Sequence, residues 1–97
     1  MFTGFEKLVF NATRRIPKGS VSTYSAIALA INKPAAARAV GNALNKNKDR
    51  NVPCHRVVRS DGGVGGFARG TKNKVKKLEG EGVEIKRGII DLDRFGV

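Results

Sequence analysis

The chain has 97 residues, of which 40% are hydrophobic, and 19 Lys and Arg stand against 8 Asp and Glu for a formal net charge of +11. We expect neither a transmembrane helix nor a secretory signal, because no long apolar run is present, and one cysteine excludes an internal disulfide framework. The length predicts one domain with a modest core. The positive net charge produces an electrostatic field that attracts polyanions such as DNA, RNA or an anionic membrane.

The first predicted element is a helix that opens with a capping box. Thr3 stands as the N-cap and Glu6 follows three residues later, after which apolar residues recur at helical spacing. The helix is expected to run for about ten residues. The stretch from Ile16 to Ser20 then turns the chain.

Two more short helices are predicted, with a tight turn between them. Ser22 or Thr23 can cap the second helix, and Pro34 at a first helical position opens the third. The third helix has a face of small and polar side chains with Arg38 in its middle. Because small side chains let a helix approach a nucleic acid closely, we interpret the pair as a helix-turn-helix, with an ordinary solvated face as the alternative.

The second half of the chain predicts two hairpins and a helix. Val57–Arg59 and residues 64–67, around a turn signal, predict a hairpin that would serve as a wing. Thr71 is expected to cap a helix from Lys72 to about Glu79 with its four lysines outward, and residues 83–92 predict a small terminal hairpin. The predicted fold class is mainly α with a small β hairpin: a three-helix helix-turn-helix core with a wing.

The stretch with the most chemical information holds the only cysteine and the only histidine of the chain, Cys54 and His55. A thiolate is a nucleophile, and a nearby imidazole or cation lowers the thiol pKa from about 8.5. Pro53 predicts a stiff, extended approach to Cys54. Two interpretations stay open at this point: an activated thiol, or a buried structural cysteine beside a surface histidine. No metal is expected, because one Cys and one His fall short of a closed zinc site.

The run Pro53-Cys54-His55-Arg56-Val57-Val58 resembles the active-site signature of the O6-alkylguanine-DNA alkyltransferases, the methylated-DNA–protein-cysteine methyltransferases. The resemblance continues in the family's order over most of the chain, through Ile16-Pro17-Lys18-Gly19, Thr23-Tyr24, residues 34–41, Asn47, Gly65-Gly66-Phe67, Lys74 and Glu81-Gly82. It implies that residues 1–97 form a single domain, the family's catalytic C-terminal domain, without the N-terminal domain that many members carry.

The resemblance also implies a reaction. Cys54 would take the alkyl group from O6-alkylguanine, and to a lesser extent from O4-alkylthymine, in duplex DNA after minor-groove binding and base flipping. The transfer would be irreversible, with a single turnover and no cofactor. His55 would take the thiol proton through a bound water, and Glu81 would orient His55. Glu79 also precedes a glycine, but the spacing from Lys74 favours Glu81.

The same resemblance gives roles to further residues. Arg38 would fill the space of the flipped nucleotide, and Tyr24 would press on the 3′ phosphate and line the pocket. Asn47 would join the recognition helix to the active-site loop. The remaining implied contacts with DNA or with the base belong to Ala35, Ala36, Ala37, Leu44, Val57, Phe67 and Ala68. Considered singly, Tyr24 as a core residue and Asn47 as an Asx turn stay open.

Departures from the family pattern keep other functions in view. Phe67 stands where tyrosine is common, Ala68 lacks a hydroxyl for guanine O6, and Arg69 is bulky. The main alternative is a non-catalytic damage-recognition protein of the alkyltransferase-like kind, a class without the acceptor cysteine, so Cys54 counts against it. A winged-helix transcription factor and a cysteine protease fit less well. We expect the protein to be a monomer that binds double-stranded DNA and no membrane. Its expected location is a reducing, cytoplasmic compartment.

Overall fold

The computed structural model describes residues 2–66 and 70–97. Within them no helix is both long and apolar enough to cross a bilayer. The helices and strands, in chain order, are α1 Gly4–Arg14, β1 Ser22–Thr23, α2 Tyr24–Ala30, α3 Ala37–Asn45, β2 Val57–Val58, α4 Thr71–Gly80, β3 Ile85–Lys86, β4 Ile89–Ile90 and α5 Leu92–Phe95. The predicted class, mainly helical with a small amount of strand, is confirmed.

Helix α1 begins at the predicted capping box. The Glu6 backbone N–H donates to Thr3 Oγ1 at 3.1 Å, and the Thr3 backbone N–H donates to Glu6 Oε1 at 2.9 Å. Both bonds satisfy backbone donors that an α-helix leaves open at its N-terminus. The helix packs on α2 and α3, and its Val9 and Phe10 enter the core.

Helices α2 and α3 form the predicted pair, but α3 starts later than the sequence suggested. Thr23 caps α2, since its Oγ1 accepts from the Ala26 backbone N–H at 3.0 Å. The prediction that Pro34 opens the third helix is wrong. Pro34 lies in a turn in which the Ala36 N–H donates to the Lys33 carbonyl at 2.9 Å. This turn occupies the residues before α3, so the helix begins at Ala37.

Strand β2 pairs with a different partner from the one predicted. It lies parallel to β1, with Ser22 opposite Val57 and Thr23 opposite Val58, and residues 64–66 form no strand. The wing hairpin between 57–59 and 64–67 is therefore wrong over its described residues. The reason is burial: Val57 and Val58 are both 0% exposed and face different clusters of the core, which is typical of parallel pairing and not of a half-solvated hairpin.

The C-terminal part contains α4, a hairpin and the short helix α5. Gly70 at φ +95°, and not Thr71, precedes the first turn of α4. The outward orientation predicted for all four lysines is wrong for Lys74, which is 0% exposed. The terminal hairpin is confirmed as β3 and β4, an antiparallel pair in which Lys86 lies opposite Ile89.

The core consists of two clusters that meet at β2. The first cluster fills the space between α1, α2 and α3 and includes Val57, while the second includes Val58 and residues of α4 and the terminal hairpin. Cys54 packs against the first cluster from the loop that precedes β2. The reactive stretch therefore lies next to the boundary between the two halves of the core.

Candidate functional site

Cys54 is held at the start of a single 3-10 turn, Cys54–Arg56. Pro53, at φ −79° and ψ 66°, forms an inverse γ-turn in which the Cys54 N–H donates to the Val52 carbonyl at 2.8 Å. The approach is stiff, as predicted, but it is bent and not extended. The turn directs Cys54 toward the C-terminal end of α3.

The Cys54 sulfur makes polar contacts with α3 and the residue two positions beyond it. Asn47 Nδ2 donates to Sγ at 3.1 Å, and Sγ donates to the Leu44 carbonyl at 3.9 Å. Asn47 also forms an Asx turn, since its Oδ1 accepts from the Asp49 N–H at 3.1 Å. The Asx turn is therefore present, and the same side chain contacts Cys54.

A carboxylate, an imidazole and a guanidinium form one hydrogen-bonded group next to Cys54. Glu81 Oε2 lies 3.0 Å from His55 Nε2 and accepts from the Arg56 guanidinium at 2.8 Å, while Oε1 accepts from Arg56 Nε at 2.9 Å. Arg56 also donates to the Ile16 carbonyl at 2.8 Å. The structure thus brings His55 and Glu81 together and leaves Glu79 exposed on α4. The sequence reasoning missed Arg56 as the residue that positions Glu81.

The electrostatics of this group keep the carboxylate charged and the imidazole neutral. The bonds from Arg56, more than those from His55, lower the pKa of Glu81 from 4.5 to about 2. Burial lowers the pKa of His55 below its usual 6.5, although Glu81 acts in the opposite direction. A neutral imidazole that donates from Nε2 to Glu81 has its acceptor at Nδ1. The neutral imidazole can therefore accept a proton at Nδ1.

Lys74, which was predicted to face solvent, is instead buried beside the cavity. Its Nζ donates to the Val57 carbonyl at 2.7 Å, the Gly66 carbonyl at 3.0 Å and the Tyr24 hydroxyl at 3.3 Å. Burial lowers the pKa of Lys74 from 10.5 to about 8 and raises the pKa of Tyr24. The signal available in the sequence was spacing, since Lys74 stands four residues before buried Leu78 on one helical face.

Cys54 opens into a cavity of about 890 Å³ between α2, α3 and the segment after β2. Five residues predicted as site residues line it: Tyr24, Ala37, Arg38, Leu44 and Cys54. Side chains that were not predicted, from Ser25, Arg59, Ser60 and Asp61, line it as well. The cavity thus has a nucleophilic sulfur, a phenol and an exposed guanidinium on one surface.

Other predicted residues lie elsewhere. Ala35 is exposed in the turn before α3, and Ala36 packs partly against the core. The Val57 side chain is fully buried, since β2 is covered on both sides, and its carbonyl oxygen already accepts from Lys74. Phe67 and Ala68, with Arg69, lie outside the described residues. Over residues 2–66 and 70–97, no group of three or more His, Cys, Asp or Glu side chains could hold a metal ion.

Known proteins resemble this chain in sequence and in structure. A family model described as "6-O-methylguanine DNA methyltransferase, DNA binding domain" matches residues 4–83. A bifunctional methyltransferase/endonuclease of Picrophilus torridus is 41% identical over 88 residues, which are 90% of this chain and 30% of that protein. A methylated-DNA–protein-cysteine methyltransferase of Sulfolobus acidocaldarius is 47% identical over 83 residues, which are 84% of this chain and 52% of that protein.

A solved structure also resembles the whole fold. The crystal structure of S. pombe Atl1 in complex with damaged DNA containing O6-carboxymethylguanine has a TM-score of 0.87 and 33% sequence identity. The match covers 98% of this chain and 96% of Atl1. By contrast, the chain spans 30% and 52% of the lengths of the two curated relatives.

Proposed function

The chain belongs to the family of the 6-O-methylguanine DNA methyltransferase DNA-binding domain, and we propose that it transfers the alkyl group of O6-alkylguanine in duplex DNA to its own Cys54. The chain would then be the catalytic domain of its family and would act once per molecule. O4-alkylthymine is a lesser substrate in this proposal. Two relatives whose names include methyltransferase, at 41% and 47% identity, support this chemistry.

The observation that carries the proposal is the surrounding of the Cys54 sulfur. Sγ lies at the wall of the cavity and accepts an N–H from Asn47 at 3.1 Å, and the next residue along the chain, His55, is a base whose partner is a carboxylate. A nucleophile, a base and a group that orients the base are the parts that an activated thiol requires. A cysteine with a purely structural role needs neither the cavity nor the charged group beside it.

The proposed step is a displacement at the alkyl carbon. The thiol proton passes through a water to Nδ1 of His55, and Glu81 stabilises the imidazolium that forms. The thiolate then attacks the alkyl carbon, an S–C bond forms, and the C–O6 bond breaks with its electron pair leaving on the guanine oxygen. The product thioether is stable, so the protein is consumed. The step uses no cofactor, and a reducing compartment would keep the thiol available.

Access to the base requires that it leave the helical stack. Arg38 projects from α3 at the cavity, is exposed, and is flanked by alanines at 37 and 39 that leave it room. We assign to it the space vacated by the flipped nucleotide, with Tyr24 beside it. The net charge of +11 supplies the attraction for the phosphate backbone. The Atl1 complex with damaged DNA supports DNA as the partner.

Intact-protein mass spectrometry tests the proposal. The chain is incubated with a duplex that carries one O6-methylguanine, beside Cys54→Ser as the matched control. The expected result is a gain of one methylene mass in the wild-type protein, located on Cys54 by peptide mapping and absent from the control. Lesion-selective binding with no mass gain would refute transfer and indicate a damage-recognition protein instead.

A further inference from the structure

The tip of the terminal hairpin holds an arginine in a backbone conformation that does not suit it. Arg87 and Gly88 connect β3 to β4 as a two-residue turn with φ +53° and +77°. Such a turn favours Asn or Gly at its first position, because a Cβ is strained at positive φ. A strained residue that persists at an exposed tip is a reason to look for function.

The charges of the hairpin distinguish Arg87 from its neighbours. Glu84 forms an ion pair with Lys86 at 3.1 Å and accepts a hydrogen bond from Arg94 at 2.6 Å. Arg87 is exposed and, among the residues that the structure describes, has no hydrogen-bond or ion-pair partner. The carboxylate of Glu84 thus offsets two nearby cations, while the charge of Arg87 faces solvent.

The hairpin is attached to the rim of the cavity. The Ile90 N–H donates to the Gly62 carbonyl at 2.8 Å, and Gly63 pairs with Ile89. A Cβ on Gly62 would lie 2.6 Å from the Ile90 carbonyl oxygen, so the two segments are in close contact. Residues just before this turn, Ser60 and Asp61, line the cavity.

Chain geometry limits how far Arg87 can lie from that rim. Paired strands are about 5 Å apart and a strand rises about 3.3 Å per residue, so the Arg87 Cα is within about 12 Å of Gly63. Phosphates of one strand of a duplex recur about every 3.4 Å along the axis. The distance from the rim to the tip therefore corresponds to about three or four phosphates along one strand, so an extended Arg87 side chain is within reach of the backbone of a duplex that runs past the rim.

We propose that Arg87 at the hairpin tip binds a phosphate of the duplex, a contact separate from α3 and from the cavity. This inference rests on the proposed function, since it requires duplex DNA at the cavity. The contact adds affinity without sequence preference and takes no part in the transfer to Cys54. It explains why the turn carries arginine where asparagine or glycine would be less strained.

The test measures the binding of the full chain to an undamaged duplex over a range of salt concentrations. Arg87→Gly suits the turn and removes the charge, so its melting temperature should equal or exceed that of the wild type. Each phosphate contact contributes about 0.9 to the slope of log affinity against log salt. The variant should lose about 0.9 of slope, equivalent to about an eightfold weaker affinity at 0.1 M salt.

Three comparisons make the result specific. Arg87→Lys keeps the charge and should keep the slope, while Lys7→Gln removes an equal charge from exposed α1 and should change it little. Reaction of Arg87→Gly with free O6-alkylguanine should match the wild type. An unchanged slope for Arg87→Gly, or an equal loss for Lys7→Gln, overturns the inference alone. Absence of salt-dependent duplex binding by the wild type would instead contradict the proposed function.

Discussion

The substitution Glu81→Gln tests the charged group beside Cys54. The Glu81 carboxylate accepts three bonds, two from Arg56 and one from His55. A glutamine has one oxygen to accept with, and its NH₂ group would face a donor. The substitution therefore leaves at least one donor of a largely buried group without an acceptor, while the shape of the side chain is nearly kept.

The pKa of Glu81 gives the size of the effect. Folding lowers it from 4.5 to about 2, and one pKa unit corresponds to about 1.4 kcal/mol. The charged form is thus favoured in the folded state by about 3 kcal/mol, which solvent screening of this partly exposed group reduces to about 2 kcal/mol. Glutamine resembles the neutral form, so we expect about that loss in the free energy of unfolding at pH 7.

The sign of the pH dependence provides an internal check. Because the folded pKa is depressed, the stabilisation is fully present above pH 4.5 and is lost as the pH falls toward 2. Urea unfolding of both proteins at several pH values should show a gap at pH 7 that closes at the acid end. Glu79→Gln, at an exposed position of α4 two residues before Glu81, is the matched control and should behave as wild type. Equal stability of Glu81→Gln and wild type at pH 7 would refute the claim that the charged carboxylate of Glu81 stabilises the fold through Arg56 and His55.

Two other predictions concern Arg38 and Lys74. Arg38→Ala should slow the reaction with duplex DNA by about tenfold or more, because the flipped state loses the group that fills its space, yet change the reaction with free O6-alkylguanine little; equal losses in both mass-spectrometric assays would contradict this role. For Lys74, folding lowers the pKa to about 8, so the unfolded chain binds more protons between about pH 8 and 10.5 and the wild-type stability should rise over that range. Lys74→Met should lack this contribution in urea unfolding, and an identical pH profile for the two proteins would show that Lys74 is not held as described.

Local signals in the sequence predicted the helical ends that depend on nearby residues. The capping box at Thr3 and the cap at Thr23 are each completed within three residues, so local sequence was sufficient. The same holds for the terminal hairpin, whose turn is short. The resemblance to a known family located Cys54, His55 and Glu81, and the structure brings the last two within 3.0 Å across 26 positions of sequence.

Elements that depend on distant partners were predicted less well. Whether Val57-Val58 forms a hairpin or a parallel pair is decided by β1, which lies 35 residues earlier along the chain. The start of α3 was placed at Pro34 because proline is common at that position, but the hydrogen bond from Ala36 to Lys33 decides it. Periodicity within one segment contains no information about either partner.

The buried lysine shows why these errors concentrate around the cavity. A charged side chain in a helix is expected to face water, and burial of Lys74 is costly enough to lower its pKa from 10.5 to about 8. What offsets the cost is a set of oxygens from three other segments: Tyr24, Val57 and Gly66. Those segments belong to both halves of the core and surround Cys54. Rules that use only the residues of one segment fail here, because the contacts around the sulfur come from several segments and override the arrangement that each segment favours alone. Such conflicts between local and overall structure are expected at a functional site.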